Sequence, residues 1–473
     1  MNAIHPTPAP GTAVPSLSRA TSVSLALLFA ATLGACGGGG SDTVAVDTPA
    51  GTPAPSPSPA PAPAPAPSPA PSPAPSPAPA PSPAPSPAPA PSPAPAPAPV
   101  PVGTTACDTA TGRVLLVGPG RTYAVPSAAA AAARSGDVIK IAAGDYRGDV
   151  VQWTVSNLTI CGDGGRARLF ANGNNARGKG LWVISGSNIT IDSIEFRDTK
   201  VPDQNGAGIR AEHTGALRII NSGFYDNENG ILANAGSSTI SIERSEFARN
   251  GYGDGYSHNI YVNLITRLTV SASYFHEAKI GHNLKSRAQE TIIENSYFMD
   301  GPTGTSSYLA DFPNGGRVVL RGNMFHKGPN ADNPTAISYG AEGIENSTNT
   351  FEMFHNTVVS TRSGGYFIAA YSGTQTLRLT ANLFAGTGSV SLFGGTYASG
   401  NAIQSGNVTS VATNIPGASN IASPNFWPNS TLQASTTLGS VLDSAYANDA
   451  PTPYTLRAIS GGARRVGALQ AAP

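Results

Sequence analysis

From Thr104 onward one pattern of apolar and polar positions recurs along the chain. Alternating Ile, Val or Leu is followed by a small polar residue, one intervening residue, an aromatic, and then a stretch rich in Gly and Asn. Aligned on the aromatic, the segments are ITIDSIEF ending at Phe196, RIINSGF at Phe224, ISIERSEF at Phe247, LTVSASYF at Phe275, TIIENSYF at Phe298 and VVLRGNMF at Phe325. Phe170 precedes the series, and FHNTVV at Val358 and LTANLF at Phe384 continue it. A two-residue period over so few positions predicts short strands, each closed by a turn. The intervals of 23 to 33 residues are too short for a domain and suit one coil of a solenoid.

The small polar position is occupied by Ser222, Ser245, Ser273, Ser296, Asn323, Asn356 and Asn382. Stacked at the roughly 4.8 Å spacing of paired strands, such side chains form a ladder that satisfies the backbone groups a bend leaves unpaired. Ahead of the repeats, Ala128 to Arg134 predicts a short helix over the open end of the first coil, followed by a strand through Val138 to Ile141. After Phe384 the Gly, Ser, Thr and Asn content predicts irregular coils and a C-terminal cover. This combination resembles the right-handed parallel β-helix superfamily between about Gly118 and Phe384. The resemblance implies an all-β right-handed parallel β-helix solenoid with a short N-terminal capping helix. Its members include polysaccharide lyases, pectin hydrolases and esterases, uronan epimerases, tailspikes and adhesins, so fold leaves function open.

Residues 1–103 follow a different logic. The uncharged apolar run from Thr21 to Leu33 follows Arg19 and is too short to span a bilayer. The sequence Leu33-Gly34-Ala35-Cys36 resembles the lipobox of bacterial lipoproteins, which implies a signal peptide over 1–35 and lipidation at Cys36. Gly37 at the second mature position favours the outer membrane, with the protein periplasmic or at the cell surface. Every odd position from Pro53 to Pro101 is proline, alternating with Ala or Ser and one Val. Such a tract cannot bury a core and should be extended like polyproline II, reaching roughly 160 Å at about 3.1 Å per residue. Residues 36–103 are therefore expected to be a disordered tether, and 104–473 the folded β-helix domain.

Composition excludes several classes. Basic and acidic residues balance at 28 each and charged residues make up 12% of the chain, so no basic field for nucleic acid is available. Three Cys cannot build a disulfide scaffold, and no CxxC or Cys/His spacing points to zinc. Once Cys36 is set aside, Cys107 and Cys161 either pair in an oxidising compartment or remain free, with Cys161 as a small buried hydrophobe. Gly/Asp nonapeptides for calcium are absent, and no metal or other cofactor is expected, though calcium without a motif stays open. A monomer is expected.

Candidate chemistry concentrates in the middle coils, where SHNIYVN (257–263) and GHNLKSR (281–287) superpose with an offset of 24. His258 then lies over His282 and Tyr261 over Lys285. Strand alternation points Ile260, Val262, Leu284 and Ser286 inward. It points Asn259, Tyr261, Asn263, Asn283, Lys285 and Arg287 outward. Neighbouring coils add Arg210, Glu212 and Asn234 on one side, and on the other Tyr308 and Asp311, in a register open by one residue, with Tyr339 and Glu342 on a further turn. Phenol, amine, guanidinium and amides on one face suit an acidic sugar chain. For β-elimination, Arg287 with Asn259, Asn263 or Arg210 would neutralise a uronate carboxylate. Lys285 would take the C5 proton, with Arg287 as a like charge favouring the neutral amine. Tyr261, His258 or His282 would protonate the leaving oxygen. Asn283, Asp311 and Tyr308 complete the expected substrate contacts.

C5 epimerisation needs the same first steps. The bland readings stand beside these: solvated strand residues for Lys285 and Arg287, a stacked corner ladder for the histidines, a turn for Asp311. The loop GYGDGYSHN (251–259) is either a groove wall or merely a loop. The polygalacturonase pattern is present only as Gly281-His282, and pectinesterase and pectate-lyase signatures are absent. The reading reached is an envelope-tethered protein acting on an acidic, uronate-containing polysaccharide by elimination or epimerisation. The alternatives are a non-catalytic glycan-binding or structural lipoprotein, and a glycoside hydrolase using two of Asp254, Glu212, Asp311 and Glu342.

Overall fold

The computed structural model describes residues 104–429, 437–438, 446–448, 456–458 and 464–469. The leader, Cys36 and the proline tract lie outside them. Within the described residues the repeat is a parallel β-solenoid. A coil contributes three strands, as in Ile265–Ser271, Tyr274–His276 and Leu284–Ser286. The first two kinds of strand merge into one 21-stranded sheet, and the third kind stacks into a separate ten-stranded sheet from Val151–Trp153 to Ser391–Gly394.

The two-residue period works as expected. Ile240, Leu268, Thr291, Val318 and Phe351 align in register, as do Ile242, Val270, Ile293, Leu320 and Met353, and all are buried. The recurrent aromatic fills the interior of the next strand. Phe196, Phe224, Phe247, Phe275, Phe298 and Phe325 stack with centroids 4.5 to 5.0 Å apart, which is the strand spacing itself.

Between these strands the chain bends at one residue with positive φ: Asn221, Arg244, Ala272, Asn295, Gly322, His355 and Ala381. The next side chain is thereby turned inward, onto the ladder read from the sequence. The backbone N–H of Ser222 donates to Ser245 Oγ (3.1 Å), that of Ser245 to Ser273 Oγ (3.2 Å), and that of Ser273 to Ser296 Oγ (3.1 Å). Ser296, Asn323 and Asn356 continue onto Asn323, Asn356 and Asn382 at 2.9 to 3.0 Å. Asn407, which the aromatic alignment does not reach, closes the series by accepting from Asn382.

At the N-terminal end the expected helix spans Pro126–Ala132 and the expected strand extends over Val138–Arg147. A second short helix, Ala106–Thr109, carries Cys107, which is disulfide-bonded to Cys161. The described part of the C-terminal cover lies on a flank. Ile415, Ala418, Phe426, Val466, Ala468 and Leu469 pack on Tyr274, Tyr297, Met299, Met324 and Leu383, outside the aromatic strands.

Candidate active site

The candidate side chains sit on the outer face of the ten-stranded sheet. Register places Arg210, Leu232, Tyr261, Lys285, Asp311 and Ser338 in one column, one per coil. Tyr261, Lys285 and Arg287 are partly exposed, whereas Ile260, Val262, Leu284 and Ser286 are buried, as alternation requires.

Alternation fails at Asn259 and Asn283. Both are fully buried, so the substrate contacts expected of them are corrected to a structural role. Each precedes its strand and lies in the corner, where the backbone bend turns the side chain into the turn. Asn227, Asn250, Asn259 and Asn283 form a second ladder. Asn227 and Asn250 Nδ2 donate to the next Oδ1 at 2.9 and 2.8 Å, and Asn259 Nδ2 donates to Asn283 Oδ1 at 2.7 Å. Because the rungs at Asn250 and Asn259 are only nine residues apart, the intervening loop is extruded outward. It becomes a wall. Asp254, Gly255 and Tyr256 of this loop, Asp203 to Asn205 and the side chains of His258, Tyr261, Lys285 and Arg287 enclose a cleft of about 400 Å³. Asp254 also shapes the loop, accepting from Tyr256 N and Ser257 Oγ.

Arg287 organises the cleft. Its Nε donates to the Tyr261 hydroxyl at 3.0 Å, one terminal nitrogen donates to Asn314 Oδ1, and the other meets Glu342 Oε2 at 2.5 Å. Lys285 Nζ donates to Glu342 Oε1 at 2.6 Å and lies 3.8 Å from Asp311 Oδ2. Burial would raise the Glu342 carboxyl, but the hydrogen bonds from Lys285 and Arg287 outweigh it and hold Glu342 below the ordinary range. Asp311 goes the other way. Burial pushes it up to about 6 although Lys285 is near, and with its side chain 3% exposed it cannot touch a polysaccharide, so its expected substrate contact is also corrected.

The two histidines stack, with centroids 4.6 Å apart and planes 13° from parallel. His258 Nδ1 accepts the His282 backbone N–H (2.9 Å), and His282 Nδ1 accepts that of Tyr308 (3.2 Å). An accepting Nδ1 fixes each ring as the neutral Nε2–H tautomer. Burial, aided by Lys285 and Arg287, holds His258 at about 3, and burial drives His282 well below its ordinary value. His282 Nε2 faces Asp311 Oδ2 at 3.4 Å, away from the cleft, while His258 lines it.

Arg210 and Tyr308 stand apart. Arg210 lies two strands from Tyr261 and donates to Asn234 Oδ1 (2.7 Å), and Tyr308 packs against His282 at 5.1 Å. Asn263 lines an adjoining cleft with Arg287, Asn314, Glu345 and Asn346. Glu342, Asn314 and the Asp203 to Asn205 segment are the site's additions to the expected core. The sequence offered Glu342 as a polar residue on a later turn and as one candidate hydrolase carboxylate, but not as the partner of Lys285 and Arg287, because they lie 57 and 55 residues away. Among the described residues no three His, Cys, Asp or Glu side chains converge as a metal ion requires.

Residues 207–403 match a family model described as a right handed beta helix region. Among solved structures the chain is similar to pectate lyase Pel9A, at 14% identity, TM-score 0.49, covering 77% of this chain and 98% of that one. It is also similar to alginate lyase from Paenibacillus sp. str. FPU-7, at 19% identity, TM-score 0.43, covering 58% and 93%. The third is ORF18 of Geobacillus virus E2, at 14% identity, TM-score 0.37, covering 58% and 52%. A comparison with curated proteins gave no match.

Proposed function

The chain contains a right-handed β-helix region, and from that premise we propose that its middle coils cleave a uronate-containing polysaccharide by β-elimination. One observation carries the reading: Lys285, Tyr261 and Arg287 converge on a single walled cleft, with the Tyr261 hydroxyl fixed on Arg287. Arg287 binds the uronate carboxylate and stabilises the charge that develops when C5 loses its proton. Lys285 Nζ accepts that proton, the C4–O bond breaks as the C4–C5 double bond forms, and the Tyr261 hydroxyl protonates the departing oxygen. The neutral histidine pair supports the wall beneath Tyr261 and takes no proton.

Return of a proton to the opposite face of C5, in place of C4–O cleavage, would make the same site an epimerase. Hydrolysis fits less well. Asp311 and Glu342 have their acidities pushed apart as an acid and base pair requires, but buried Asp311 cannot reach a glycosidic oxygen. A lipid anchor at Cys36 and a proline-rich spacer would place the domain at the outer membrane, where such polymers are met. That part of the proposal rests on Leu33-Gly34-Ala35-Cys36 and the alternating prolines.

The test is incubation of the protein with alginate, pectate, glucuronan and glycosaminoglycans, following the ultraviolet absorbance of unsaturated uronate, with Lys285→Ala in parallel. Absorbance that grows with wild type and is lost with the variant is expected. No absorbance on any polymer, but deuterium uptake at C5, would identify an epimerase. Neither signal would leave a glycan-binding surface protein.

A further inference from the structure

We propose that Glu342 is an internal occupant of the uronate carboxylate subsite, and that substrate binds by displacing it. The inference rests on the elimination reading for the identity of the ligand, and on geometry for the rest. The two oxygens of Glu342 are divided between two cations, Oε1 on Lys285 at 2.6 Å and Oε2 on Arg287 at 2.5 Å. That is the arrangement a bound uronate carboxylate would need, supplied by the protein itself.

The donors of Arg287 are already assigned. Nε is held by Tyr261 on the neighbouring strand, and one terminal nitrogen by Asn314, which is buried. Both partners are fixed by the fold. Glu342 is not: its side chain is 45% exposed and it stands at the tip of a turn between Gly340 and Gly343, both at positive φ. The turn is anchored by other groups. Glu342 N donates to Pro313 O at 3.1 Å, Gly343 N to Gly340 O at 3.2 Å, and Ile344 packs against the core. Rotation about side-chain bonds alone therefore withdraws the carboxylate, with the backbone staying in place. An entering uronate then exchanges one carboxylate for another on the same two cations, which spares the site the cost of leaving Lys285 and Arg287 unpaired.

The experiment is calorimetric titration of wild type, Glu342→Gln, Glu342→Ala and Glu342→Gln/Arg287→Ala with monomeric glucuronate, which offers no bond to cleave. Thermal melts beforehand establish that each variant is folded. Both single variants are expected to bind glucuronate about two- to fivefold more tightly than wild type, the scale of one partly exposed ion pair, and the double variant should lose the gain. Equal or weaker binding by both single variants overturns the inference, because Glu342 would then be a supporting member of the site. A gain that survives Arg287→Ala overturns it too. If the gain appears but wild type cleaves no polyuronate, the self-occupied subsite stands and the elimination reading falls. Cleavage by wild type without the gain has the opposite meaning.

Discussion

His258 and His282 stack face to face from adjacent coils, and each accepts a backbone N–H at Nδ1 from the coil that follows. A ring held this way has no place for a second proton on Nδ1. Protonation must break the hydrogen bond and charge a buried group.

This gives a pH dependence of known sign. His258 has a folded value of about 3 and His282 lies well below its ordinary value, against roughly 6.5 for an unfolded histidine. Below pH 6.5 the unfolded chain binds more protons than the native one at both rings, so stability falls as pH drops, by about 1.4 kcal/mol per unit for each group. Asp311 opposes this. Its folded value of about 6 exceeds the unfolded one, so between roughly pH 6 and 4 the native state gains a proton there and one of the two histidine contributions is offset. The net expectation is a midpoint temperature that declines from pH 6.5 downward, more steeply below pH 4. His258→Asn, whose Oδ1 can replace Nδ1 as acceptor, should reduce the slope by about one proton. A melting curve insensitive to pH between 6.5 and 4 in wild type would show that the rings are not buried neutral.

Arg287 tests the site by a different route. Substitution with Lys keeps the charge but cannot bind Tyr261, Asn314 and a carboxylate together. Arg287→Lys should reduce kcat/KM on the polymer identified as substrate by about 100-fold or more, within the range seen when one charge-stabilising donor is removed. Tyr261→Phe removes the proton donor while leaving the ring, and should lower kcat with little change in KM. Steady-state kinetics on both variants separate the roles, and an effect of Tyr261→Phe confined to KM would deny it the acid role.

How far the sequence reaches is set by distance along the chain. The Ser and Asn ladder and the phenylalanine stack were legible because one backbone bend recurs with the same two side-chain requirements, once per coil. Lys285 over Tyr261 was legible because two consecutive coils share His-Asn followed by an aliphatic residue at the same spacing, 24 residues apart. Asn259 and Asn283 were misplaced because strand parity was carried one residue into a corner, where the bend and not the pleat sets direction. The sequence left the register at Asp311 open by one residue; strand pairing sets Asp311 beside Lys285, and its coverage by His282 and Lys285 is a packing result that no local pattern encodes. Glu342 reaches the site across two coils from a turn of ordinary composition.

The ladder itself predicts a graded response. Asn323 Oδ1 accepts from Ser296 N, and its Nδ2 donates to Ile293 O and Asn356 Oδ1, all buried. Asn323→Ala removes the acceptor of Ser296 N and the side-chain donor to Ile293 O, while the backbone N–H at 323 still serves Asn356 Oδ1, and should cost about 2–4 kcal/mol, at 1–3 kcal/mol for each uncompensated group after partial relaxation. Asn323→Ser restores the acceptor, as Ser296 does in the preceding coil, and should recover part of the loss. Chemical denaturation of the two variants measures the difference, and equal destabilisation would deny the ladder its role.

Lys327 is the strictest case, because it is fully buried outside the site yet linked to it. Its Nζ lies 3.5 Å from Asp300 Oδ2 and donates to the carbonyls of Ser306 (2.9 Å) and Ser307 (2.6 Å). Those carbonyls lead directly to Tyr308, whose N–H holds His282 Nδ1. Burial lowers Lys327 from the ordinary lysine value, and Asp300 acts against that. Removing the amine alone leaves Asp300 buried without its counter-ion, so Lys327→Met should destabilise by about 3–5 kcal/mol. Asp300→Asn in the same chain removes the orphaned charge and should recover part of this, giving a favourable coupling in a double-mutant cycle. Because the Ser307 carbonyl loses the Lys327 ammonium in both variants, while Ser306 O keeps only the Asp332 N–H, hydrogen exchange at Tyr308 N–H should accelerate in each. Unchanged exchange there would mean that the ion pair supports the coil but does not hold the histidine stack.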